Sequence, residues 1–520
     1  MIHGKNIIGS SLSAKGIHSF NGYDVVEDTI IRTDFFEATD AEINMAVCKA
    51  AIAFGSYKNT SGKLKAAFLE SIATEIEALD MELINTASKE TGLPIARITG
   101  ERGRTTGQLR LFAEMLANGS WVNAIIDEAM ADRKPLPRAD IRQMQIAIGP
   151  VAVFGASNFP LAFSVAGGDT VSALAAGSPV VFKAHPAHPA TCELVAGAII
   201  SAAQKCNMPE GVFSMLHGVS HEAGNRLVTH PLIKAVGFTG SLKGGMALYN
   251  AAVNRDEPIP VFAEMSSVNP VVFLPGIIEE NAAALAENFA AAVVLGAGQF
   301  CTNPGIFLLL NNESSLRFIN LLKEAIAAKP AVAMLTSSIK QTYCKSISAQ
   351  RNSEEAVGLT PFDESIPQPH LLQTTAQAVI NNPALAEEVF GPSTIAIIAE
   401  NMDELIVCCS HLQGQLTATV HGTNSDLASA NLLIETLQSK AGRLIINGFP
   451  TGVEVCHAMV HGGPFPATSD VRTTSVGTQA IYRFTRPVCY QGFPDSLLPD
   501  ELKQDNPLAI SRMVNGKIMQ

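Results

Sequence analysis

No CxxC pair occurs among the nine cysteines, and no Cys/His cluster has the spacing of a zinc site. Cys48, Cys192, Cys206, Cys301, Cys344, Cys408, Cys409, Cys456 and Cys489 are odd in number and irregularly placed, so neither a disulfide framework nor a bound metal is expected. A reducing cytoplasm is the expected compartment, and a free thiol there can be chemical. Basic residues are scarce too: 36 Lys and Arg against 48 Asp and Glu give a formal charge of −12, which disfavours nucleic acid or an anionic membrane as partner. The start MIHGKNIIGSS lacks the basic opening and apolar core of a signal peptide. Apolar runs such as AAAVVLGAG are too short and too interrupted by Gly to span a bilayer. No GxGxxG follows the first predicted strand of the sheet, where a dinucleotide fingerprint would sit. There is no tandem repeat and no low-complexity tract.

What remains is a chain with 47% hydrophobic and 16% charged residues over 520 positions, enough for a large core and roughly two or three domains. Residues 40–118 carry apolar positions at three- and four-residue spacing and predict helices. Residues 119–149 read as an extended excursion from the main body. From Pro150 the rhythm changes to short apolar strands alternating with helices: IAIGPVAVFGA, SPVVFKA, VFSMLHG, IKAVGFTG and IPVFAEM are strands, and SNFPLAFSVAGGDTVSALAAG is a helix. This is the pattern of an α/β, doubly wound parallel sheet, whose ligands bind beyond the carboxyl ends of the strands. A second α/β series runs over 270–446, with NPVVFL, GIFLLL, STIAIIA, LTATVHG and RLIING as strands and a loop-rich middle. The tail from ATSDVRTTSVG onward is polar and irregular, suited to draping over a neighbour.

Several positions at strand ends have chemistry to offer. Cys301 lies in GQFCTNPG, where glycines allow close backbone approach and a turn can aim its N–H at an oxyanion. A core thiol is the plainer alternative. Glu264 ends a buried strand, a place for a general base or for an edge carboxylate facing solvent. Asn158, in FGASNFP before a Pro-started helix, can donate its amide to an oxyanion or simply cap. Lys183 ends the next strand over, where a cation suits ribose or phosphate, or solvent. Gly240 and Ser241 belong to FTGSLKGG, a loose glycine loop before a helix.

In order and spacing, GASNFPLAF, VVFKAHPAHP, GFTGS, VFAEMSSVNP, GQFCTNPG and EEVFGPS resemble the aldehyde dehydrogenase superfamily, over about residues 20–500. Two longer stretches, GPVAVFGASNFPLAFSVAGGDTVSALAAG and NGFPTGVEVCHAMVHGGPFPATSDVRTTSVG, resemble one branch of it. That branch holds bacterial 2,5-dioxovalerate (α-ketoglutaric semialdehyde) dehydrogenases and NADP-dependent fatty aldehyde dehydrogenases. The resemblance implies an NAD(P)-dependent oxidation of an aldehyde to an acid. Cys301 would be the nucleophile, Asn158 the oxyanion donor and Glu264 the base for water. Glu388 and Phe390 would hold the nicotinamide ribose and ring. Lys183 would meet the adenosine ribose, with Gly240 and Ser241 along the pyrophosphate. It further implies a dinucleotide-binding domain (1–124 and 150–265), a catalytic domain (266–470), and a small β oligomerisation arm with the tail (125–149 and 471–510). That arm implies a homodimer or homotetramer.

Two departures from the family pattern matter. Pro186 stands where many NAD-using relatives carry an acid, which permits a 2′-phosphate and predicts NADP preferred with NAD possible. PFPATSD replaces the family's PFGG, so the pocket near Val455–Phe465 is read from this chain alone. His461 or His457 there can tune the thiolate or merely pack, and Phe465 is a candidate lining residue. For an acidic aldehyde, Arg104 and Gln108 share a helix face at i, i+4, with Arg110 on another; an aliphatic tunnel would instead suit long-chain aldehydes. An acyl-CoA-forming enzyme is disfavoured by Glu264. A silent binding protein on the same fold and a plain cysteine hydrolase are the readings from other classes.

Overall fold

Residues 2–519 are described by a computed structural model. Runs such as VAVF and VVF are buried at every position, as strands covered on both faces must be. Five parallel strands make up the first sheet from one edge inward, in the order Val261–Glu264, Ala235–Thr239, Val151–Phe154, Val180–Lys183, Phe213–Leu216. The order reverses at Val151–Phe154, so the crevice of a doubly wound sheet opens there. Asn6–Ile8 and Ser11–Ser13 extend this sheet antiparallel, and Ser19–Asp24 pairs with Thr29–Phe36 in a separate ribbon. None of these four N-terminal strands was expected.

The second sheet runs Val357–Gly358, His370–Thr375, Ser393–Ala399, Ile306–Leu310, Val271–Phe273, Gln415–His421, Ala441–Ile446, parallel except at its first strand. Its middle is not loop-rich: the helices Glu313–Ala327 and Ser337–Arg351 fill it, each capped by a side-chain oxygen, Asn312 and Thr336. The helical stretch Pro275–Gly298 is long and apolar enough to cross a membrane. Its Ile278, Ala282, Ala286, Phe289 and Val293 are packed in the core beside this sheet. A third sheet joins Thr485–Gln491, Ile141–Ala147, Ile125–Asp127, Arg512–Val514 and Lys517–Met519.

Two further expectations are corrected. Residues 155–167 are turns, and the helix begins only at Gly168 (Gly168–Ala176). Pro160 brings no N–H to a helix, and Glu101 Oε1 takes the Leu161 and Ala162 N–H groups, each at 2.9 Å. The tail, for its part, enters the core. Ala480, Ile481 and Phe484 of the turn Thr478–Phe484 are fully buried, and Arg483 forms an ion pair with buried Asp169.

Candidate active site

The strand Val261–Glu264 is the edge of its sheet, and its free side is taken by the segment that PFPATSD begins. Met265 N donates to Ala467 O at 2.8 Å, Ser469 N to Ala263 O at 3.0 Å, and Glu264 bridges Thr468. This zipper brings His461 and Ser475 onto the Glu264 carboxylate. Ser475 Oγ donates to Glu264 Oε2 at 2.8 Å, and His461 Nε2 lies 3.0 Å from Oε1. His461 is held in turn by its backbone: its N–H donates to Thr474 Oγ1 at 2.8 Å, and its carbonyl accepts from Ser475 N at 2.9 Å.

Cys301 completes the cluster, its Sγ 3.5 Å from the same His461 Nε2. It is presented by an unusual approach: Gly296, Ala297 and Gly298 all have left-handed backbone, φ +57°, +56° and +65°. A Cβ on Gly298 would sit 2.3 Å from the Gly391 carbonyl carbon, so only glycine lets these two segments meet. Ala297 carries strain of about 1–3 kcal/mol, of the kind that clusters at functional sites. Asn269, also left-handed, donates through Nδ2 to the Cys301 and Asn303 carbonyls at 2.9 Å each and fixes the turn beyond the thiol.

Electrostatics set the resting state. Burial, reinforced by the Glu264 charge, pushes the Cys301 thiol well above its ordinary range. Burial also pushes the Glu264 carboxyl up, but the His461 ring and the Ser475 hydroxyl outweigh it, and the net shift is downward. The cluster therefore rests as a carboxylate beside a thiol.

Asn158 reaches the same place, its Nδ2 donating to Gln299 O at 2.9 Å, which leaves a second amide hydrogen for another acceptor. A cavity of about 310 Å³ opens onto Cys301, lined by Arg97, Glu101, Arg104, Phe159, Phe163 and Phe300 among others. The Arg104 guanidinium lies over Phe163 at 5.1 Å; that of Arg97 lies over Phe159 at 4.5 Å and Phe300 at 4.8 Å.

Of the remaining candidates, Gln108 and Phe465 do not line this cavity. Gln108 is buried behind it, its Nε2 directed at Gly168. Phe465 is 56% exposed at the cis bond to Pro466. His457 pairs with Thr478 Oγ1 at 3.1 Å, apart from the cluster, and Arg110 is tied to Glu70 and Glu77 on the surface. Arg97, Ser475 and Asn269 were not singled out from the sequence. Arg97 had a signal, since it lies seven residues before Arg104 on the same helix stripe.

At the crevice mouth, Lys183 ends its strand with an ammonium that burial pulls down to about 8. Gly240 follows Thr239, its N–H donating to Glu264 O at 3.1 Å, and Ser241 Oγ caps Leu242–Val253 by accepting from Gly244 N at 3.2 Å. Partly buried Glu388, with Phe390 two residues on, has its carboxyl pushed up to about 7 by burial, helped by the nearby Glu264 charge. An ammonium, a capped helix start and a partly buried carboxyl, contributed by strand ends and loops of both sheets, suit the ribose and phosphate groups of a dinucleotide.

Fold and site define a class, an oxidoreductase built around a thiol at a dinucleotide crevice. The chain belongs to the aldehyde dehydrogenase family, whose model matches residues 19–464. It is 48% identical to alpha-ketoglutaric semialdehyde dehydrogenase 2 of Azospirillum brasilense, over 99% of each chain. It is 50% identical to alpha-ketoglutaric semialdehyde dehydrogenase of Acinetobacter baylyi, over 94% of this chain and 93% of that one. Among solved structures, aldehyde dehydrogenase C of Pseudomonas syringae, a C291A variant in complex with NAD+ and octanal, superposes with a TM-score of 0.79 at 19% identity. That match covers 94% of this chain and 97% of the other. The enzyme is thus an aldehyde-oxidising, NAD(P)-dependent oxidoreductase.

Proposed function

We propose that the enzyme oxidises 2,5-dioxopentanoate (α-ketoglutaric semialdehyde) to 2-oxoglutarate, with NADP preferred and NAD used. The observation that carries the substrate is the pair of arginines in the cavity over Cys301. Arg97 and Arg104 line that cavity with their guanidiniums on aromatic faces; Glu101 in the same wall pairs with Arg97 at 3.5 Å, so Arg104 is the cation left over to meet a carboxylate at the other end of the aldehyde. The two curated relatives carry this activity in their names. The second reading, a long-chain aldehyde, rests on Phe159, Phe163 and Phe300 in the same wall.

Cys301 loses its proton to the Glu264 carboxylate, directly or through His461 Nε2, which passes its own proton to Oε1 as it takes the thiol's, and adds to the aldehyde carbon, forming a thiohemiacetal. That proton leaves Glu264 for solvent before water is activated. The second N–H of Asn158 and the Cys301 backbone N–H would hold the oxyanion. Lys183, Gly240, Ser241, Glu388 and Phe390 would hold the dinucleotide, which when bound would supply the acceptor for the hydride. Glu264, kept ionised by His461 and Ser475, takes a proton from water to release the acid from Cys301. The balance is aldehyde, water and oxidised cofactor to acid, reduced cofactor and one proton. NADP use rests on Pro186; Glu37, which accepts from Ser220 N at 2.9 Å near Lys183, works the other way as a carboxylate close to the adenosine side. Nine free cysteines suit a cytoplasmic setting, and the third sheet is the arm through which we expect a dimer or tetramer.

An aldehyde panel with both cofactors tests this. The expected result is a higher kcat/KM for 2,5-dioxopentanoate than for decanal, and for NADP than for NAD. A clear advantage for decanal removes the substrate, and an advantage for NAD of about tenfold or more, about 1.4 kcal/mol, removes the cofactor preference.

A further inference from the structure

The same cluster has the donor set of a metal centre. We propose that Cys301, His461 and Glu264 together bind a thiophilic divalent cation such as Zn2+, reversibly, and that the bound metal switches the enzyme off.

Geometry carries the inference. A tetrahedral ion with bonds of about 2.0–2.3 Å needs its donors about 3.3 Å apart for N and O and about 3.6 Å apart for S and N. His461 Nε2 and Glu264 Oε1 are 3.0 Å apart, and Cys301 Sγ and His461 Nε2 are 3.5 Å apart. All three donor atoms lie within 4.8 Å of one another. The sulfur and the carboxylate oxygen, within 4.8 Å of one another, have to close to about 3.6 Å to complete three corners of a tetrahedron, a movement side-chain rotation can supply. The fourth corner is open, because Cys301 lines the cavity through which an ion arrives with its water. Sequence spacing hides the site: its ligands lie at 264, 301 and 461, on an edge strand, a loop and the segment zipped to that strand.

Charge agrees. The buried carboxylate and thiolate repel each other as neighbours, and a divalent cation between them neutralises both. Binding releases the thiol proton and changes no oxidation state. Arg104, whose charge is felt by both anions, opposes the ion, and Glu388 favours it. His461 Nδ1 is buried with no hydrogen-bond partner among the described residues. Resident zinc centres hold the outer nitrogen of a ligating His with a carbonyl or carboxylate. Without that support the metal exchanges, which makes this an inhibitory site and not a structural one.

Cobalt(II) reads the site directly in the full-length enzyme treated with chelator, without substrate or cofactor. The expected result is a thiolate-to-cobalt charge-transfer band with visible bands of tetrahedral intensity, bleached by Zn2+ and absent in Cys301→Ser. Zn2+ should also protect the wild-type thiol from iodoacetamide. His461→Gln and Glu264→Gln should each weaken Zn2+ binding by about tenfold or more, with folding checked by circular dichroism and NADP binding. No cobalt band above the Cys301→Ser background overturns the proposal. So does wild-type Zn2+ affinity in both His461→Gln and Glu264→Gln, which would mean capture by the thiol alone. Neither result bears on which aldehyde is oxidised.

Discussion

Replacing Glu264 by Gln separates two tasks of one carboxylate. The charge stands within 4.8 Å of the Cys301 sulfur and opposes its ionisation. Two unit charges at that separation repel by about 3.5 kcal/mol at an effective dielectric of ~20. Tenfold in an ionisation equilibrium corresponds to about 1.4 kcal/mol, so the full term is about 300-fold in thiolate population. Glutamine keeps the size and a hydrogen bond, and relaxation around the site absorbs part of the gain. Iodoacetamide should therefore alkylate Cys301 in Glu264→Gln at least about tenfold faster than in the wild type at neutral pH. Steady turnover should fall meanwhile by about 10²–10⁴-fold, since the base for water is gone. A first-turnover burst of reduced cofactor should survive, because His461 remains to take the thiol proton. Alkylation that slows in the variant refutes the electrostatic reading and makes Glu264 the group that ionises the thiol.

The other predictions follow from the same geometry. Arg97→Ala with Arg104→Met should raise KM for 2,5-dioxopentanoate by about 10–100-fold, the worth of one or two charge-assisted hydrogen bonds, and leave decanal nearly unchanged; equal losses on both aldehydes would count against the carboxylate role. Glu388, pushed up to about 7, is protonated below that pH and ionised above it, so the KM for NADP should fall between about pH 6 and 8, and a Glu388→Gln enzyme should lose that dependence. Glu37→Gln removes a carboxylate near the adenosine side, so the NADP-to-NAD ratio of kcat/KM should rise severalfold; an unchanged ratio places Glu37 outside cofactor choice. Arg483→Met leaves Asp169 buried without its partner and should cost about 3–5 kcal/mol in urea unfolding, with part recovered by adding Asp169→Asn.

Much of the fold was legible because parallel strands announce themselves as short apolar runs, and the chemistry sits where those runs end. Glu264 was conspicuous as a charge closing a buried strand, and Cys301 as a thiol among glycines. The helix expected after Asn158 starts only at Gly168, since periodicity cannot register that Glu101, some sixty residues earlier, takes the Leu161 and Ala162 N–H groups. Of the N-terminal strands, Asn6–Ile8 and Ser11–Ser13 are too short to stand out, and Ser19–Asp24 and Thr29–Phe36 too mixed in polarity; Ser11–Ser13 is largely exposed and exists by pairing with Asn6–Ile8. Gln108 was misplaced because sharing a helix face with Arg104 does not say where along the axis the cavity stops: it lies about 6 Å further along and packs on Gly168, whereas Arg97, Glu101 and Arg104 fall within the lining. His461 and His457 could not be told apart by spacing, because the choice depends on which one the 464–475 segment carries to Glu264.

That segment is where fold and chemistry become one problem. An edge strand presents unpaired N–H and C=O groups that have to be covered. Here residues 467–469 cover them, through Met265 to Ala467, Glu264 to Thr468, and Ser469 to Ala263. The same pairing sets His461 and Ser475 on the two oxygens of the Glu264 carboxylate. A slip of one residue would turn alternate side chains to the other face and part the imidazole from both the acid and the thiol. The proline- and serine-bearing sequence PFPATSD, which departs from the family's usual run of glycines, is thus the register pin of the cluster. What it protects is a balance: a buried carboxylate holds the neighbouring sulfur protonated at rest, and the histidine between them gives the proton a route out when an aldehyde arrives.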